Sequence, residues 1–99
     1  MIGRQREKEL ARDLGGRRQP ASGAFWNQPG DVITEWFLVE SKYTSALSFS
    51  ITLDHLTKIR AEAGLKNRSP VMVIELGTAN PPEKWVVMPY EEWKALLGG

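Results

Sequence analysis

Three charged residues in the middle of the chain have the types and spacing to do chemistry. Asp31 opens the short apolar run Asp31-Val32-Ile33, and the triplet Glu40-Ser41-Lys42 closes the longer run Trp36-Phe37-Leu38-Val39. Side chains alternate across a strand, so Trp36, Leu38, Glu40 and Lys42 are expected on one face and Phe37, Val39 and Ser41 on the other. Two charges ending an apolar face are costly to bury unless they are paired or bind a metal. A tight reversal at Thr34-Glu35 makes the two runs adjacent strands and lets Asp31 and Glu40 converge at one end of the hairpin. With the backbone carbonyl of Ser41 they form an oxygen set of the kind magnesium prefers. Such a cation activates a water, neutralises charge growing on phosphate oxygens and assists the leaving oxygen, which are the needs of phosphodiester hydrolysis. Lys42 is placed to orient or deprotonate the water and to stabilise developing negative charge. The plainer alternative is a hairpin whose polar end emerges into water.

The remaining chain must position these groups. Gly3 to Leu14 reads as a helix with Leu10, Ala11 and Leu14 on one face, and Gly15-Gly16 ends it. Glu7 shares the apolar face and is expected either at its edge or reaching a polar site on the sheet below, where it would serve a second cation or a metal-bound water. Arg17 to Gln19 reads as a short strand, followed by a loop to Pro29. After Lys42 comes a polar connection to Ser50, then a helix capped by Thr52, with Asp54 in its first turn and a stop at Gly64. Val71 to Leu76 is an apolar inner strand, and strand, helix and strand together make a βαβ crossover. Asn80-Pro81-Pro82 makes a turn, Trp85 to Met88 a last strand, and Tyr90 to Leu97 an amphipathic closing helix. The expected architecture is α/β, a mixed sheet flanked by helices in the order α-β-β-β-α-β-β-α.

Composition narrows the chemistry. Ninety-nine residues make one domain, here residues 1–99. Cysteine is absent, which excludes disulfides, thiolate zinc sites and cysteine nucleophiles. The lone histidine, His55, argues against a histidine-rich metal site or a Ser-His-Asp mechanism, and it reads as a solvated helix residue with no assigned role. No apolar run approaches membrane-spanning length and no signal-peptide core opens the chain, so a cytoplasmic protein is expected. The net charge is +1, but Arg4, Arg6, Lys8, Arg12, Arg17 and Arg18 outnumber the acids before Gly30. A basic segment ahead of an acid-rich centre suits a polyanion, with Arg4, Arg17 and Arg18 as phosphate contacts; a solvated basic helix face is the plainer account. Ser22 and backbone amides can also hold phosphates, and Phe25 and Trp26 can stack on a base, wedge between strands or pack under their loop.

Gly30-Asp31-Val32 followed by Val39-Glu40-Ser41-Lys42 resembles the PD-(D/E)xK signature of the restriction-endonuclease-like nucleases, with Pro29 one place before the signature's proline and Gly30 in its position. Gly3, Glu7 and the loop Pro20-Ala21-Ser22-Gly23 make the chain similar to the archaeal-type Holliday junction resolving enzymes in particular. The resemblance runs from Gly3 to about the end of the second helix. It implies a restriction-endonuclease-like core, Asp31 and Glu40 as metal ligands, Lys42 as base or stabiliser, Glu7 as acidic partner and Ser22 as an active-site loop residue. It further implies a homodimer that cuts two opposing strands of a four-way DNA junction using magnesium, with manganese as a substitute. Paired incisions call for two sites related by a two-fold axis, and the late strand and closing helix, with Trp85 and Trp93, are the expected interface. Competing readings are a nuclease of the same superfamily acting on other branched or duplex DNA, a non-catalytic DNA-binding module, and an interaction protein whose charged hairpin end is merely solvated.

Overall fold

A computed structural model describes residues 3–19, 31–81 and 83–98, with the backbone alone for residues 3–5 and for Asp31. Along the chain the elements are α1 (Gly3–Leu14), β1 (Arg17–Gln19), β2 (Asp31–Ile33), β3 (Phe37–Thr44), α2 (Leu53–Leu65), β4 (Ser69–Leu76), β5 (Lys84–Val87) and α3 (Tyr90–Leu96). The five strands form one mixed sheet in chain order. β1, β2 and β3 are successive antiparallel neighbours, β4 runs parallel to β3, and β5 is antiparallel to β4. A parallel pair cannot be joined by a tight turn, and α2 supplies the crossover between β3 and β4.

The period-two pattern of the strands divides the core between two helices. Val32, Val39, Val71 and Val73 pack under α1 against Leu10 and Ala11. On the opposite face Ile33 and Leu38 meet Ala63 of α2, while Met72 and Ile74 meet Ile59. Val71 through Glu75 of β4 are buried without a break, as expected of a strand covered on both faces.

Both long helices end by the same device. Gly15 takes φ 68°, and the amides of Gly15 and Gly16 return to the carbonyls of Arg12 and Ala11. A side chain at Gly16 would stand 2.5 Å from the Ile33 carbonyl oxygen, so the close approach of the two chain segments requires glycine there. In α2 the expected stop at Gly64 falls short. The helix continues to Leu65, and Asn67 takes the left-handed position (φ 55°), with Arg68 and Asn67 amides bonded to the Ala63 and Gly64 carbonyls. Asparagine tolerates that conformation, so glycine need not mark the end.

The hairpin also differs from expectation by one residue. Thr34 and Phe37 close the turn, through the Thr34 amide to the Phe37 carbonyl (2.8 Å) and the Phe37 amide to the Thr34 hydroxyl (3.0 Å). The reversal is therefore Glu35-Trp36, and Trp36 is an exposed turn residue, not a member of the Leu38 face. β4 begins two residues before Val71, where the Ser69 amide bonds the Trp36 carbonyl at 2.9 Å. Pro82 of the expected Asn80-Pro81-Pro82 turn lies outside the described residues.

Candidate cation and nucleic-acid site

Glu40 sits in the middle of β3, and the antiparallel ladder sets Asp31 opposite it as its Cα partner. The expected convergence of positions 31 and 40 is thus a consequence of register. Successive rows of the ladder alternate in face. The row Arg18–Val32–Val39 borders α1, and the row Gln19–Asp31–Glu40 belongs to the face that α2 covers.

Lys42 follows Glu40 two residues along the same face, and its Nζ lies 3.8 Å from Glu40 Oε2. The same oxygen is held by a group with no expected role: His55 Nε2 is 2.5 Å away. His55 reaches it because of how α2 begins. The Thr52 hydroxyl caps the helix by accepting from the His55 amide at 3.2 Å, which places His55 in the first turn. The crossover lays α2 on the face of β3 that carries Glu40 and Lys42, and the first turn of the helix brings His55 to Glu40. The side chains of Glu40, Lys42 and His55 are 18%, 24% and 31% exposed, so the cluster opens to solvent and a ligand has access.

Chemically the cluster offers a carboxylate, an ammonium and an imidazole nitrogen around one oxygen, with a second acid across the ladder at position 31. A carboxylate and a neutral imidazole are both competent donors to a divalent cation, and this pair already touches. Among the described residues, no group of three or more histidine, aspartate or glutamate side chains capable of holding a metal is present. Ser41, expected to lend a backbone carbonyl, is buried in β3 on the α1 face.

Glu7 is placed differently from Glu40. It is only 3% exposed beside Leu10 and Ala11, so it does not sit at the edge of the apolar stripe. Its Oε1 lies 3.8 Å from the Arg18 guanidinium in β1. Its described ion pair is with Arg18. Arg17 and Arg18 are both exposed, and Arg18 has Glu7 as an ion-pair partner. Of Arg4 only the backbone, in the first turn of α1, is described. Ser22, Phe25 and Trp26 lie outside the described residues.

A second polar cluster on the α1 face has no counterpart in the sequence reading. Glu75 of β4 is 4% exposed and accepts from Arg6 NH1 at 2.7 Å. The Arg6 guanidinium lies 3.4 Å from the centre of the Tyr43 ring, and Lys84 of β5 approaches Glu75 Oε1 at 3.9 Å. Burying Glu75 is tolerable because it is paired and hydrogen-bonded. The sequence signal is a lone carboxylate inside the apolar run Val71–Leu76. For His55 the signal is its position three residues after a helix-capping threonine that follows Lys42.

No helix among the described residues is long and apolar enough to cross a membrane. Comparison of the chain with protein-family models, with curated proteins and with solved structures finds no match.

Proposed function

We propose that the chain is a divalent-cation-dependent endodeoxyribonuclease of the restriction-endonuclease-like kind that resolves four-way DNA junctions. The observation that carries this reading is the register of the hairpin, which sets Asp31 opposite Glu40 with Lys42 beside it on β3. The strand succession, three antiparallel neighbours followed by a helix and a parallel strand, is the order expected of that core.

In this reading Glu40 and Asp31 hold the cation, magnesium or in its place manganese. When bound, the cation lowers the pKa of a water and offsets charge on the phosphate. Lys42 orients the attacking water and stabilises charge developing on the non-bridging oxygens. Arg17 and the basic face of α1, including Arg4, contact backbone phosphates without reading sequence. Arg18 contributes less because Glu7 already engages it. Ser22, Phe25 and Trp26, which lie outside the described residues, are further DNA contacts in this reading.

Paired cuts require two sites, and the reading therefore includes a homodimer. Trp85 and Val86 of β5 are each 60% exposed, Trp93 is 49% exposed, and α3 has no buried residue. A helix that buries no residue among the described ones gains from burial against a second copy.

A second reading is favoured by one observation. Glu40 Oε2 already has His55 and Lys42 as partners, as in a non-catalytic DNA-binding module whose acids only shape the surface. One experiment separates the two. A labelled four-way junction, a flap and a linear duplex are incubated with the protein in magnesium or EDTA, beside Glu40→Ala and Lys42→Ala. Paired, magnesium-dependent cuts confined to the junction, lost in Glu40→Ala, are expected. Equal cutting of the duplex would remove junction selectivity and keep the nuclease, whereas binding without cutting would leave the module.

A further inference from the structure

His55 is the one partner of Glu40 that the proposed hydrolysis does not use. Its geometry goes beyond a chance contact at the surface. Thr52 fixes the first turn of α2, the imidazole Nε2 meets Glu40 Oε2 at 2.5 Å, and both side chains remain partly exposed. Lys42 approaches the same oxygen at 3.8 Å and cannot serve as a ligand while it remains an ammonium.

From this arrangement we infer that His55 is itself a cation ligand, donating Nε2 beside Glu40 Oε2 so that the centre is a mixed nitrogen–oxygen site. The inference rests on the reading that Glu40 holds a divalent cation. Neighbouring ligands of one octahedral ion, each bonded at about 2.1 Å, lie about 3 Å apart. The two donor atoms therefore need to part only slightly to admit an ion. The partial exposure of both side chains and the turn-end position of His55 leave room for that movement.

The consequence is metal choice. Magnesium is hard, prefers oxygen and keeps its waters, so a nitrogen ligand contributes little to it. First-row transition ions accept imidazole readily, and their affinity for nitrogen–oxygen sites increases from manganese towards copper. The site should therefore prefer manganese to magnesium, against the all-oxygen preference expected from the two carboxylates alone. His55 sets that selectivity, and Glu40 sets whether any cation binds.

The test uses the full chain and reads binding, not cleavage. Pulsed electron paramagnetic resonance of the unmodified protein with bound manganese should show hyperfine coupling to a directly ligated imidazole nitrogen, lost in His55→Ala. Calorimetric titration with manganese and with magnesium should show the ratio of their affinities falling tenfold or more in His55→Ala and His55→Gln. Glu40→Ala should abolish binding of both ions. Circular dichroism confirms that the variants fold, and the resonance measurement on the unmodified chain needs no variant. Bound manganese without nitrogen coupling, together with an unchanged affinity ratio in His55→Ala, would overturn the inference while leaving the cation site and the proposed nuclease intact. Manganese binding that survives Glu40→Ala undiminished would overturn both, because the cation would then sit elsewhere.

Discussion

Glu40 receives a histidine nitrogen and a lysine ammonium on a single carboxylate oxygen, a concentration of donors that a merely solvated strand end does not require. Lys42 is close enough to neutralise Glu40 in the absence of a ligand and to face a phosphate in its presence. Lys42→Ala is therefore expected to lower junction cleavage by about a hundredfold or more, the usual range for a lost charge stabiliser, with DNA affinity nearly unchanged. Single-turnover cleavage beside a binding titration measures both. Glu75 behaves differently. It is buried and paired with Arg6, which stacks on Tyr43, while Lys84 approaches its other oxygen. Removing one member of a buried pair leaves the other charge uncompensated, so Glu75→Ala should cost about 3 kcal/mol, read as a lower urea midpoint. The same substitution should leave cation binding at Glu40 unchanged, because Glu75 lies on the opposite face of the sheet.

Helix and strand ends decide where these side chains stand. Thr52 both starts α2 and places His55 over β3, so its hydroxyl links stability to site geometry. Thr52→Ala should cost about 1 kcal/mol of stability, typical of a lost cap. It should also lower the affinity of the Glu40 site for manganese, whereas Thr52→Ser should restore both. Equal stability loss in the two variants would mean that the cap does not act through its hydroxyl. The expected helix spans were legible because Leu10, Ala11, Ile59 and Ala63 recur at helical spacing and because Gly15 and Thr52 are strong end signals. The stop of α2 was not, since Asn67 does at one position what glycine usually does. The turn slipped by one residue for a related reason: Thr34 bonds Phe37 through both backbone and side chain, and no glycine marks the reversal.

Across the molecule, two helices cover opposite faces of one sheet, and the third buries none of its residues. α1 and α2 each bury a cluster of aliphatic residues, whereas Trp93, Leu96 and Leu97 are 49%, 64% and 65% exposed. β5 is the last strand of the sheet, and Trp85 and Val86 stand on it. The proposed dimer predicts a light-scattering mass of two chains at micromolar concentration, falling to one in Trp85→Glu. A mass of one chain for the unmodified protein would remove the two-fold arrangement that paired incision needs. Charge follows the same division. The basic residues of α1 and β1 and the acids of the hairpin share one molecule of nearly zero net charge, so the proposed attraction to DNA would depend on a local face.

Much of this was written in local pattern. The apolar run Phe37-Leu38-Val39, helical spacing in α1 and α2, and the apolar run Val71–Ile74 of β4 specify an α/β chain with a crossover, because each is dictated by which side chains must leave water. That Asp31 and Glu40 share one hairpin was legible, but their direct pairing was not: a reversal at Thr34-Glu35 would set Asp31 opposite Leu38, and the observed reversal at Glu35-Trp36 sets it opposite Glu40. Contacts made across the sheet were not. Glu7 shares a stripe with Leu10 in the sequence, yet only packing decides that it is buried against β1 near Arg18. The Arg6–Tyr43–Glu75 cluster joins residues far apart in the chain, which no local period encodes. His55 carries no mark of its own. Its place beside Glu40 follows from the length of the connection after β3, the cap at Thr52 and the way a right-handed crossover lays α2 on the sheet.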